Sequence, residues 1–119
     1  MPIRNMTLTA TILAAASLSD EIQLNGLMIE AIIMPAAWTA AGLSFQAADA
    51  LAANGGTYLP LFDVAGVEIT ATVAASQRHV LPISLIRGHN YIRLRSGTSA
   101  VPVVQGSNAI ITLLCRDFS

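Results

Sequence analysis

Lysine is missing altogether from the 119-residue chain: the six basic residues are all arginine, against seven carboxylates, for a net charge of −1. Without a basic excess there is no electrostatic case for direct nucleic-acid binding or for an anionic membrane surface. Charged residues make up 11% of the chain, less than half the share of an ordinary soluble domain. Aromatics are as scarce, at 5%. The one cysteine, Cys115, has no internal disulfide partner. It falls in the apolar run from Ala109 to Cys115, where a thiol behaves as a small hydrophobe, and is expected in the core. No stretch approaches the roughly 20 unbroken apolar residues of a membrane helix, because Glu30 and Pro35 interrupt the best candidate, Leu27 to Leu43.

Motifs for chemistry are also lacking. There is no G-x-S-x-G elbow, no glycine-rich phosphate loop and no C-x-x-C. His79 and His89, completed by Glu68 or Asp63, form the best metal set available, with no spacing that recommends it. Of the carboxylates only Asp20 and Glu21 are adjacent, in what reads as a solvated turn. Glu30 stands alone in an apolar strand, which calls for an arginine partner or a subunit contact. No catalytic, cofactor or metal residues are assigned, and no enzyme is expected.

What the chain does hold is short alternating segments separated by turn chemistry. Arg4 followed by Met6 to Ala16 has the outline of a secretion signal. Yet Met6, Leu8, Ala10 and Ile12 alternate with Thr7, Thr9 and Thr11, the pattern of a strand. Further strands are expected at Leu27–Met34, Leu43–Ala47, Thr57–Phe62, Val67–Val73, Val80–Ile83, Tyr91–Arg95 and Ala109–Cys115. Pro60 pushes its strand to a sheet edge, and Asp63 to Gly66 reads as a hairpin turn. Val67–Val73 has the cleanest alternation, with Val67, Ile69, Ala71 and Val73 inward. Helical turns are expected at Ala47–Ala53 and Ser84–Gly88, and a long loop over Gly97–Asn108. The chain therefore reads as one all-β domain spanning 1–119, a sandwich or jelly roll of about eight strands, with residues 1–5 a possible N-terminal arm.

Candidate contact residues follow from composition. Interfaces are depleted in lysine and acids, so a sparsely charged surface points to one partly covered by neighbours. Pro2, Ile3 and Arg4 suit an arm reaching a neighbour. Trp38 is either an interface anchor or a plug at the end of the sandwich. His89, Tyr91, Arg93 and Arg95 share one face of an extended strand. That face is either a basic binding surface or an ordinary outer face whose arginines pair with acids such as Glu68.

Several segments carry a resemblance. Met34 to Gln46 (MPAAWTAAGLSFQ), Tyr58 to Glu68 (YLPLFDVAGVE), Tyr91 to Thr98 (YIRLRSGT) and Ala100 to Gly106 (AVPVVQG) resemble small structural proteins of tailed bacteriophages and prophages. The arrangement is more loosely similar to galactose-binding-like jelly-roll modules, with the longer Ala47–Gly56 stretch in place of their D-G turn. The resemblance implies a capsid decoration (cement) protein without an active site, made in the bacterial cytoplasm and carried on the capsid exterior of the virion. Its implied partners are the major capsid protein and itself, as dimer or trimer. A carbohydrate-binding module that stacks Trp38 or Tyr58 on sugar rings is the alternative, and a tail or neck component a third.

Overall fold

The computed structural model describes residues 5–24, 26–81 and 89–116. Nine strands are found among them: β1 (Asn5–Ile12), β2 (Ile22–Gln23), β3 (Met28–Ile33), β4 (Leu43–Ala48), β5 (Leu59–Pro60), β6 (Thr70–Ala71), β7 (Arg78–Val80), β8 (Tyr91–Ser96) and β9 (Ala109–Arg116). They form two antiparallel sheets. One has the order β1-β9-β3-β7; the other runs β2-β8-β4-β5, with β6 also paired to β4. The chain is all-β and layered as a sandwich.

Alternation in the sequence becomes alternation of faces. Ala10 and Ile12 of β1 lie opposite Ile111 and Ala109 of β9, and all four are fully buried. The other sheet contributes Leu43, Phe45, Ile92 and Leu94, giving an inter-sheet core of aliphatic side chains around one phenylalanine. Cys115 is buried in that core, as its surroundings in the sequence imply. Burial pushes its thiol up to about 11, with the nearby Glu30 carboxylate adding to the rise.

Glu30 sits where the register of β3 against β9 shifts, between Ile29 and Ala31. The irregularity coincides with a side chain that leaves the ladder pattern, and its carboxylate meets Arg116 at 2.8 Å. An arginine partner, one of the two options the sequence left, is thus present.

Some expectations need correction. The best alternating segment, Val67–Val73, is regular only at Thr70–Ala71. Ile69, Ala71 and Val73 do pack inward, but Val67 is 61% exposed. The reason is that β5 and β6 occupy the same edge of β4, so residues 62–68 leave the sheet between them. The expected helical turn at Ala47–Ala53 is replaced by an extension of β4 to Ala48 and a single 3-10 turn at Ala52–Asn54. Of the strand expected at Val80–Ile83, Val80 closes a strand that begins at Arg78, and residues 82 and 83 lie outside the described residues. The helical turn read at Ser84–Gly88 lies outside the described residues.

The long loop expected over Gly97–Asn108 is ordered by a polar tie. Gln105, 1% exposed, accepts from the Thr39 backbone N–H at 2.8 Å and donates to the Thr39 carbonyl and to Ser96 Oγ. Gly97 makes the turn possible: its φ is +87°, and a Cβ there would stand 2.4 Å from the Val101 carbonyl oxygen. Only glycine meets both constraints.

Candidate functional site

The outer face of the second sheet carries one compact polar cluster. β8 and β4 are in register with Arg93 opposite Gln46 and Arg95 opposite Ser44, all on that outer face. Glu21, just before β2, lies beside them. Its carboxylate accepts from the Tyr58 hydroxyl at 2.6 Å and from the Ala52 backbone N–H at 2.9 Å. Arg93 stands 3.8 Å from the same carboxylate and places its guanidinium carbon 4.8 Å from the centre of the Tyr58 ring.

These contacts hold Glu21 below the usual carboxylate range, through the Tyr58 and Ala52 hydrogen bonds first and the Arg93 charge last. Tyr58 is pushed well above the ordinary phenol value by burial and by the carboxylate it bonds. Both groups therefore stay in one protonation state across the neutral range. The cluster clamps the 49–58 loop onto β8; it is built for holding rather than for proton transfer. Glu21 does not sit in the solvated turn expected of it. The acid that serves Arg93 is Glu21 and not Glu68, whose carboxylate instead accepts from the Ser99 backbone and hydroxyl. Tyr58 has one ring face taken by Arg93 and its hydroxyl taken by Glu21.

The other sequence candidates are scattered. Pro2, Ile3 and Arg4 lie outside the described residues. Trp38 is half-buried, packs against the core, and donates its indole N–H to the Ala41 carbonyl at 3.2 Å. Arg95 is half-buried on the outer face, where its backbone bridges Leu18. His89 lines an open cleft of about 350 Å³ with Asp49, Thr57, Leu59 and Leu61. His79 is on β7, at the far edge of the other sheet. Among the described residues no three or more His, Cys, Asp or Glu side chains converge as a metal site needs. Nor is any helix among them long and apolar enough to cross a membrane.

The most exposed large apolar side chain among the described residues, Val64, lies where the edge of the second sheet is interrupted. β5 pairs with Gln46 and Ala47, β6 with Leu43 and Ser44. Between them the Ile69 N–H bonds the Leu61 carbonyl at 2.9 Å, closing the base of a projecting finger, residues 62–68. Phe62 pairs with Glu68 at the base. At the tip, the Asp63 side chain accepts from the backbone of Ala65 and Val67, and Gly66 takes the positive φ (80°) that lets the turn close. This is the hairpin turn read from the sequence. Phe62 and Val67 are more than half exposed and Val64 is fully so. Glu68 ties the finger to Ser99, beside exposed Val101. The sequence signals the turn but not the exposure, since its apolar residues read as an inward-facing strand.

Neither a protein-family model nor a curated protein matches the chain. Among solved structures, the crystal structure of the SPBc2 prophage-derived protein YomS shares the fold. The match covers 97% of this chain and 96% of that one, at a TM-score of 0.57 and 11% sequence identity.

Proposed function

We propose that the chain is a non-enzymatic structural protein of a tailed-phage or prophage virion. In this reading it is a capsid decoration (cement) protein, seated on the outside of the head shell with the major capsid protein as partner. The observation that carries the reading is the finger. A short apolar projection is fixed in shape by Asp63 and by the Glu68–Ser99 contacts, so it loses little freedom on docking, which favours affinity. Its flanking acids are spent on backbone hydrogen bonds, leaving Phe62, Val64 and Val67 as uncharged contact area of the kind found at interface centres.

Fold likeness to a prophage-derived protein over nearly the whole of both chains supports the same assignment. Strand number does too. Counting β5 and β6 as one strand interrupted by the finger leaves eight strands among the described residues, four to a sheet, the number expected of a jelly roll of the kind found in viral capsids. Arg93 and Arg116 are engaged with Glu21 and Glu30, which favours a protein partner over nucleic acid.

The test is fractionation of particles from the bacterium that carries the gene. The chain is tagged, lysis is induced, and heads, tails and free protein are separated on a density gradient. Tagged chain in the head fraction is expected. Recovery with tails overturns the decoration role, and recovery only as free protein overturns the virion assignment.

A further inference from the structure

We infer that two copies of this chain join edge to edge through β1, extending the first sheet across a two-fold axis. The four sheet edges among the described residues are not alike. β2 and β5 have two residues each, and β5 carries Pro60 and is cut short by the finger. β7 has three residues, beginning with Arg78. β1 has eight, NMTLTATI, paired to β9 without a register shift. It contains no charge, no proline and no bulge, the devices by which natural edges resist pairing.

The open part of this edge is defined by its hydrogen bonds. The Thr11 N–H donates to Asp20 Oδ1 at 2.9 Å, and the Thr11 carbonyl accepts from the Asp20 N–H at 3.2 Å. Thr11 therefore points its backbone groups away from β9. Because strand residues two apart point the same way, so do those of Asn5, Thr7 and Thr9. Asp20 caps the edge at Thr11, leaving those three with donors and acceptors to offer, and Thr7 is their midpoint.

Antiparallel pairing about Thr7 places Thr7 against Thr7 of the second copy and Asn5 against its Thr9. Three facing pairs of this kind exchange about six backbone hydrogen bonds. Every side-chain pairing is compatible. On the outer face only threonine and asparagine meet, a neutral combination that can hydrogen-bond across strands. On the inner face Met6 falls against Leu8 of the other copy. Met6 needs such a neighbour: it faces inward opposite Cys115, yet it is 39% exposed. Uncharged and self-complementary, this edge fits a second copy, as a two-fold contact requires.

The argument does not depend on the virion role, and the test reads mass rather than particle location. Light scattering over a wide dilution series is expected to give twice the 12.4 kDa chain mass. Thr7→Pro removes an outward N–H without touching the ladder to β9, and Thr7→Lys sets two ammonium groups face to face. Both variants are expected to halve the mass while leaving the circular dichroism spectrum unchanged. A wild-type monomer or trimer overturns the proposal. So does a dimer that survives in whichever of the two variants keeps the native spectrum.

Discussion

Tyr58 donates its hydroxyl hydrogen bond to Glu21 at 2.6 Å across 37 residues of chain. Of this cluster's contacts it is the shortest, and it fastens a loop that has no regular strand of its own. Because the bond favours ionised Glu21 and neutral Tyr58, it links stability to pH at both ends. Glu21 titrates lower in the folded than in the unfolded chain, so its contribution is full above the ordinary glutamate range, roughly pH 4.3. That contribution is lost as pH falls through its lowered folded value. Tyr58 titrates higher when folded, so its contribution is full below about pH 10 and lost as pH rises through the raised value.

Thermal unfolding followed by circular dichroism from acid to alkaline pH checks this. Tyr58→Phe is expected to lower the midpoint at neutral pH and to flatten both limbs. Unchanged limbs in Tyr58→Phe would show that the bond does not form in solution.

Gln105→Ala removes the tie between Thr39, Ser96 and the 97–108 loop. It leaves the Thr39 N–H unpaired beside the cavity once filled by the amide. Ser96 Oγ, which is buried, also loses its partner, and orphaning such a group costs about 1–3 kcal/mol. Urea denaturation is expected to show the loss as a lower midpoint with an unchanged slope.

Cys115 is 3% exposed, and its thiol is held at about 11. Only the thiolate is nucleophilic, so alkylation at neutral pH is expected to proceed at the rate of unfolding rather than at the rate of a free thiol. Mass spectrometry after timed iodoacetamide treatment, with and without urea, measures it. Rapid labelling of the native protein is the contrary result.

Replacing Phe62, Val64 and Val67 together with serine tests the finger. All three are exposed, so stability is expected to hold within about 0.5 kcal/mol per site. Association with heads is expected to fall more than about tenfold, because central apolar contacts are each worth about 1–2 kcal/mol or more. Equal recovery of the variant with heads would place the contact elsewhere.

Legibility in the sequence followed the range of the interaction. Alternation of Ala10 and Ile12 with the β1 threonines, the Asp63–Gly66 turn and the edge position of Pro60 depend on neighbours a few residues away, and each could be read. Glu30 was visible as an anomaly, though not its partner 86 residues distant. The Glu21–Tyr58–Arg93 cluster was not visible, because three unrelated segments meet only when β2 and β4 flank β8. Gln105 was hidden for the same reason: nothing local marks a glutamine that will be enclosed by two other loops. Val67 misled because alternation reports which residues could share a face, whereas exposure depends on how much of the β4 edge was left to pair with.

The bond between Ile69 and Leu61 has a consequence for how such a protein can change over time. Since the sheet resumes directly across the finger's base, the seven residues between can be lengthened, shortened or rewritten without shifting the register of any strand. The framework and the tip are thus separable in inheritance. If the finger docks as proposed, a lineage meeting a new surface can redesign its grip one substitution at a time, while the core that folds the chain stays untouched.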